Sequence, residues 1–485
     1  MTVDHTAAPT SADVSEVELV ALLDAQRSAF LEEGPPSVRV RLDRVDRLVR
    51  AVLTHADDLV AALNADFGNR PEAASLSADI LGFLPSVSEI RRDLEEWAAD
   101  EPVPGSAERG TPTFVQKRPK GVVGVIGPWN FPIALVVQPA LEALAAGNRV
   151  MIKFSDVPAR TAAVFARAVA EHLAPEEVTV VEGGLRTAVA FSSLAFDHLF
   201  FTGSPAVGRR VAAAAGANLV PVTLELGGKN PVVVASDADV DTAAERIAAS
   251  RMMNGGQLCL CPDYVFVPRS AVDDFVAAYQ RHMARYFPTY RDNPEVTTIV
   301  NDANYARVAH LIDDAVARGA RAVTAVSDTG RDSAGRRIPP TLLLGVTDDM
   351  EVAHEEVFGP VISVLPYDDP REAIAYVNAR PHPLAAYWYG EDTPEFREFL
   401  RLTTSGGVTR NDMALHFGVE GVPFGGVGQS GMGAYHGRAG FETFTHRRAV
   451  TANALGFGVA PRSVPPFSGA AVAAMKERIA AALDG

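Results

Sequence analysis

From residue 121 onward the chain alternates short apolar runs with amphipathic stretches, and this alternation constrains the fold more than any other feature. The runs at 122–126, 150–153, 178–181, 198–201 and 220–224 read as strands. Between them, 134–146, 159–173 and 205–215 carry apolar residues at helical spacing. Short strands joined through helices need crossover connections, so they predict a buried parallel sheet with right-handed links. A second series follows, with strands at 231–235, 264–267, 322–325 and 361–366 and helices at 240–253, 270–286, 304–318 and 369–378. Ahead of both, 38–66 and 72–99 read as helices, 101–116 as a Pro/Gly/Ser-rich connector, and 404–448 as a Gly-rich stretch that ends extended. The expected class is α/β.

Composition bounds the function. Sixty acidic residues against 44 basic give a net charge of -16, which argues against nucleic acid, because phosphate binding needs a concentrated basic face. No stretch reaches the roughly 20 apolar residues that span a bilayer, and the polar, acidic opening MTVDHTAAPTSADVSEVE lacks the form of an export signal. A cytoplasmic protein without membrane partners is expected, ending in a short amphipathic helix. The two cysteines, Cys259 and Cys261, make neither a disulfide framework nor a tetrahedral zinc site, and no metal is expected. Only five lysines occur, so a lysine inside a motif carries more weight than usual.

Several segments carry chemistry. Asn254-Gly255-Gly256-Gln257-Leu258-Cys259 places a thiol beside glycines that let other groups approach; taken alone, such a cysteine is more often a small buried side chain. Glu225, in ELGGK, stands at the carboxyl edge of the first sheet, where ligands bind, and suits a general base. Asn130, in PWNFP, suits an oxyanion donor or the N-cap of the next helix. Lys153 and Asp156 end the second strand and can grip ribose hydroxyls. Phe201–Gly208 turns through Gly203 and Ser204 into a helix N-terminus, a site for pyrophosphate, although G-x-G-x-x-G is absent. Glu356 and Phe358, in EEVFGP, supply a carboxylate and an aromatic plate. Each segment by itself also fits a purely structural role.

Together, PWNFP, the Lys153 segment, FTGS, ELGGK, GQLC, EEVFGP and PFGGVGQSGMG resemble the aldehyde dehydrogenase superfamily in order and over nearly the whole chain. The ending GAYHGRAGFETFTHRR is similar to the class 3 and coniferyl aldehyde dehydrogenase branch. The resemblance implies a Rossmann-like NAD-binding domain with a five-stranded sheet (1–100 and 122–225), an α/β catalytic domain (226–412) and a small β oligomerisation arm (101–121 and 413–455). A C-terminal extension (456–485) would follow. It makes Cys259 the nucleophile, Glu225 the water-activating base and Asn130 an oxyanion donor. It assigns Trp129, Lys153, Asp156, Gly203, Ser204, Gly208, Leu226, Glu356 and Phe358 to the cofactor. The cofactor implied is NAD. NADP stays open because Asp156 stands where NAD-preferring members commonly carry Glu. The branch implies a homodimer.

Two rival readings are a CoA-acylating enzyme, which would need no water-activating base, and a non-catalytic protein retaining the fold. Leu258, Phe131, Met253 and Phe417 suggest an apolar tunnel, and no arginine flanks Cys259. An aromatic or medium-chain apolar aldehyde such as coniferyl aldehyde is the expected substrate. Cys261 reads as a packed thiol. His436 fits either a substrate mouth or a subunit contact, the latter preferred.

Overall fold

The computed structural model describes residues 13–484, so the opening segment read as lacking an export signal lies mostly outside the described residues. The first helix, Glu16–Glu33, starts at a capping box in which the Ser15 hydroxyl accepts from Glu18 N while Glu18 accepts from Ser15 N. This arrangement satisfies two backbone donors that a helix start leaves open. Val38–Thr54, Ala56–Phe67 and Leu84–Ala98 follow. Val45, Leu48, Val49 and Val52 recur at the spacing that lines one helix face, and all four are buried.

The first sheet runs in the order Gly431–Met432, Val222–Leu226, His198–Gly203, Val122–Ile126, Arg149–Lys153, Val178–Val181. The last five strands are mutually parallel, as expected. The two-residue strand from the Gly-rich stretch adds an antiparallel edge, pairing Gly431 with Glu225. That edge makes six strands where the resemblance implied five. The strand expected at 220–224 lies at Val222–Leu226, which puts Glu225 inside the sheet, opposite Thr202, rather than just beyond its end. Leu19 and Leu23 pack with Val122, Ile126, Met151, Leu224 and Leu226 in one core cluster, each buried side chain contributing about 1.5–3 kcal/mol.

The second sheet has seven strands, ordered Arg321–Thr324, Thr341–Leu344, Val361–Tyr367, Pro262–Pro268, Asn230–Val234, Ala385–Tyr389, Gly407–Arg410. Only the first of them pairs antiparallel. Three of these strands escaped the sequence reading. Ala385–Tyr389 is buried at every position, so it shows no alternation. Thr341–Leu344 follows Pro339-Pro340, which reads as a loop.

The chain divides into two compact units, one running to Trp97 and resuming over Pro119–Thr445, the other formed by Ala98–Arg118 and the stretch from His446 onward. In the second unit, Glu101–Pro102 and Thr113–Pro119 pair antiparallel, and Glu101 bridges Lys117 at 3.1 Å and Arg447 at 2.7 Å. The C-terminal helix Gly469–Leu483, capped by Ser468, has no buried residue. Among the described residues no helix is long and apolar enough to cross a membrane, and no cluster of three His, Cys, Asp or Glu forms a metal site.

Candidate active site

Cys259 sits at the end of a loop whose shape is over-determined. The helix Val240–Met252 leads into Asn254, Gly255 and Gly256, all at positive φ (50°, 65° and 80°). Such a run needs residues that tolerate the left-handed region. At Gly256 a Cβ would come within 2.3 Å of the Gly359 carbonyl oxygen, so only glycine fits there. Buried Gln257 donates to Asn254 O at 2.8 Å and Thr298 O at 3.0 Å and accepts from Val300 N at 2.9 Å. Asn230 Nδ2 donates to the carbonyls of Cys259 and Cys261 at 2.7 and 2.9 Å. With the loop's carbonyls tied back in this way, the thiol has a fixed position. Cys261 is buried and its sulfur donates to Ser250 O at 3.5 Å, which agrees with a packed thiol.

Asn130 meets this loop directly. Its Nδ2 donates to Gln257 O at 3.1 Å, while its own carbonyl accepts from Asn254 Nδ2 and Arg70 Nη1, both at 3.1 Å. The N-cap alternative for Asn130 is corrected. The helix starts at Ala134 after Ile133, and Asp79 accepts from Ile133 N and Ala134 N at 3.0 and 3.2 Å. Asp79 is also paired to Arg70 at 2.7 Å, both side chains fully buried, and the Arg70 guanidinium lies over the rings of Phe67 and Phe131. Arg70 and Asp79 escaped the sequence reading, because charges between apolar helical positions look like a solvated face.

Glu225 is 3% exposed and neither carboxylate oxygen has a hydrogen-bond partner. Burial, with the nearby charge of Glu142, raises its pKa well above the usual carboxylate range. Cys259 is half-open to solvent yet densely surrounded. Burial pushes its thiol upward, and the charges of Glu356 and Glu225 push in the same direction. Thiol and base therefore lie within electrostatic reach of each other.

The residues expected around a dinucleotide form a second group. Lys153 is buried, with Nζ donating to Phe154 O at 2.6 Å and Gly183 O at 2.7 Å, so one ammonium proton stays free. Asp156 is exposed just beyond it. Ser204 caps the helix Pro205–Ala217 by accepting from Val207 N, and the exposed end of that helix suits an anion. Gly208 and Leu226 are buried behind it, where they pack rather than present polar groups. Trp129 packs edge-on against Phe358, with ring centroids 5.3 Å apart. The Glu356 carboxylate lies where a Cβ on Gly227 would be, 2.1 Å from that point, and burial raises it to about 8. The Glu356–Phe358 segment is pinned by residues given no role from sequence. Arg307 donates to Glu356 O and Val357 O at 3.0 and 2.8 Å. Lys229 bridges Asp263 and the carbonyls of Val352 and Glu355, and Asp263 accepts from Val357 N at 2.9 Å. The scarcity of lysine and the place of Lys229 in ELGGK were the available signals. A carboxylate over a glycine, a free ammonium proton and an open helix N-terminus fit a dinucleotide.

His436 packs inside its own unit, its ring 4.8 Å from that of Phe417 and stacked at 5.3 Å on Phe424. It lines a cavity of about 70 Å³ together with Phe83, Leu135 and Phe417. The structure thus sets His436 on a cavity wall.

Comparison with known proteins completes the identification. The aldehyde dehydrogenase family profile matches residues 3–450. The chain is 45% identical over 453 residues to a probable coniferyl aldehyde dehydrogenase of Caulobacter vibrioides, covering 91% of this chain and 92% of that one. It is 43% identical to the coniferyl aldehyde dehydrogenase of a Pseudomonas sp., covering 90% and 92%. To the dimeric NADP-preferring aldehyde dehydrogenase of Rattus norvegicus it is 36% identical, covering 88% and 93%. The substrate-bound AldH of Staphylococcus aureus matches with a TM-score of 0.88 at 33% identity over 95% and 99% of the two chains. A Mycobacterium tuberculosis aldehyde dehydrogenase complexed with NAD+ gives 0.82 at 30%, over 93% and 92%. The chain belongs to the aldehyde dehydrogenase family. It is an NAD(P)-dependent oxidoreductase acting on aldehydes.

Proposed function

We propose that the enzyme oxidises an aromatic or medium-chain apolar aldehyde, of which coniferyl aldehyde is the type, to the carboxylic acid through a thioester on Cys259. The observation that carries the reading is the Asn130 amide, held at 3.1 Å on the nucleophile loop by one of its two N–H bonds. The other N–H is left for a substrate oxygen. As the Cys259 sulfur attacks the carbonyl carbon, that N–H and the backbone N–H of Cys259 receive the developing oxyanion. One such donor contributes about 3–4 kcal/mol to the barrier. A bound nicotinamide dinucleotide supplies the hydride acceptor. Trp129, Lys153, Asp156, Gly203, Ser204, Glu356 and Phe358 would hold it, with Gly208 and Leu226 shaping the wall behind. Oxidation of the adduct leaves a thioester, and Glu225 takes a proton from the water that hydrolyses it. A carboxylate buried without a partner is costly for folding. Such a group supports water activation and speaks against transfer to CoA.

Half-buried Leu258 and Phe417, with exposed Met253, support an apolar acyl group. Phe131 is tied up under Arg70. We propose NAD as the preferred cofactor with NADP accepted, since exposed Asp156 opposes a 2′-phosphate only from a short side chain. We further propose a cytoplasmic homodimer. The test is a panel of aldehydes assayed with NAD and NADP in parallel. Coniferyl aldehyde or benzaldehyde should give the highest kcat/KM, with NAD. A higher value for succinic semialdehyde than for every apolar aldehyde contradicts the substrate class, and acyl-CoA formation on adding CoA contradicts the hydrolytic step.

A further inference from the structure

We propose that Glu142 is a proton relay, which takes from Glu225 the proton that water yields in each turnover and passes it toward solvent through the cavity beside His436. The proposal rests on the reading of Glu225 as the water-activating base.

Glu142 lies in the helix Ala134–Ala145, in a run where every residue from Val136 to Ala145 is buried. An ionisable side chain there is expensive unless its surroundings are built for it. They are built. Gln138 Nε2 donates to Glu142 Oε1 at 2.7 Å, and the backbone N–H groups of His436 and Gly437 also point at the carboxylate. Oε2 has no partner. Room for it exists because residue 440 is glycine: a Cβ there would lie 1.8 Å from Glu142 Oε2. Among the described residues no cation pairs with Glu142. The ionisable groups facing it are the carboxylates Glu89 and Glu225, with the rings of Tyr435 and His436 on the adjoining segment.

The same segment joins the two carboxylates. Gly431 pairs in register with Glu225, and five to nine residues later His436, Gly437 and Gly440 surround Glu142. Glu142 raises Glu225, and both add to the effect of burial in raising the Tyr435 phenol. Burial sets Glu142 at about 8, so it can gain and lose a proton near neutral pH. The outward side is also defined. Gln138 Nε2 donates to Ser86 Oγ at 2.6 Å, and Ser86, Gln138, Glu89, Glu420 and His436 line the cavity of about 70 Å³, which has room for more than one water. The steps balance: water gives a proton to Glu225 as its oxygen bonds to the thioester carbon, and the carbon–sulfur bond then breaks, releasing the carboxylic acid and returning the Cys259 thiolate. That proton moves to Glu142, then to cavity water, then to bulk, restoring both carboxylates.

The test uses Glu142→Gln, which keeps the size and shape of the side chain but holds no transferable proton. In a rapid-quench single turnover with NAD and benzaldehyde, reduced cofactor should form at the wild-type rate. The acyl adduct on Cys259 should then decay about tenfold more slowly, with a larger slowing in D2O than wild type shows. A small weak acid such as formate should restore the decay, and Glu142→Asp should retain it, neither of which a merely structural role predicts. If Glu142→Gln does not fold, Gln138→Leu removes the amide N–H that holds the Glu142 carboxylate and should slow the same step. Wild-type adduct decay and an unchanged solvent isotope effect in Glu142→Gln would overturn the relay, provided Glu225→Gln accumulates the adduct. If Glu225→Gln also clears the adduct normally, the base assignment fails, and the relay with it.

Discussion

Two buried charged regions flank the nucleophile, and the fold treats them in opposite ways. Arg70 and Asp79 are fully buried and fully engaged: they are paired at 2.7 Å, and their remaining contacts fix the Asn130 carbonyl and the start of the next helix. Glu225 and Glu142 are just as deeply buried, yet three of their four carboxylate oxygens have no partner. Removing water from a charge is tolerable when a counter-charge replaces it. Where none does, the group adjusts its protonation instead. The first pair holds geometry. The second pair is left free to exchange protons.

The largest expected effect is at Cys259: Cys259→Ala should abolish aldehyde oxidation while leaving the urea midpoint unchanged. Asp79→Ala strands a buried guanidinium and should cost about 3–5 kcal/mol of stability by urea unfolding. Glu142→Gln should behave oppositely. Its folded pKa of about 8 lies above the ordinary 4.5, so ionisation opposes folding increasingly as pH rises between those values. The variant should therefore be more stable than wild type at pH 8, and the gap should close by pH 5. A loss of stability at pH 8 would break the contrast. Asn130→Ala should lower kcat by about 10²–10³ with little change in unfolding. Because burial and two carboxylates raise the Cys259 thiol, iodoacetamide inactivation of the free enzyme should accelerate steadily from pH 7 to pH 9. A plateau below pH 7 would contradict that. The smallest effect is at Lys229: Lys229→Met frees the Glu356–Phe358 segment and should raise the KM for NAD several-fold with kcat nearly unchanged.

Much of this architecture was legible in sequence because its signals are local. The strands at Val122–Ile126 and Val178–Val181 are apolar runs bounded by turns, and the glycines ahead of Cys259 announce a loop of unusual backbone. What was not legible depends on contacts across long separations. Arg70 and Asp79 look like solvated charges until the sheet closes over them. The Gly431–Met432 edge strand is too short to show a period, and only its pairing with Val222–Leu226 places Glu225 inside the sheet. Glu142 sits in a helix whose other residues, Gln138 apart, are apolar, and nothing nearby in sequence announces Gly440, whose missing side chain makes room for it.

The most direct test of the central claim uses Glu225→Gln mixed with NAD and coniferyl aldehyde. The protein should release close to one equivalent of reduced cofactor per site and stop. The peptide carrying Cys259 and Cys261 should gain the mass of the acyl group, located on Cys259 by fragmentation. Sustained turnover by this variant, or an acyl group on Cys261 instead, would contradict the assignment.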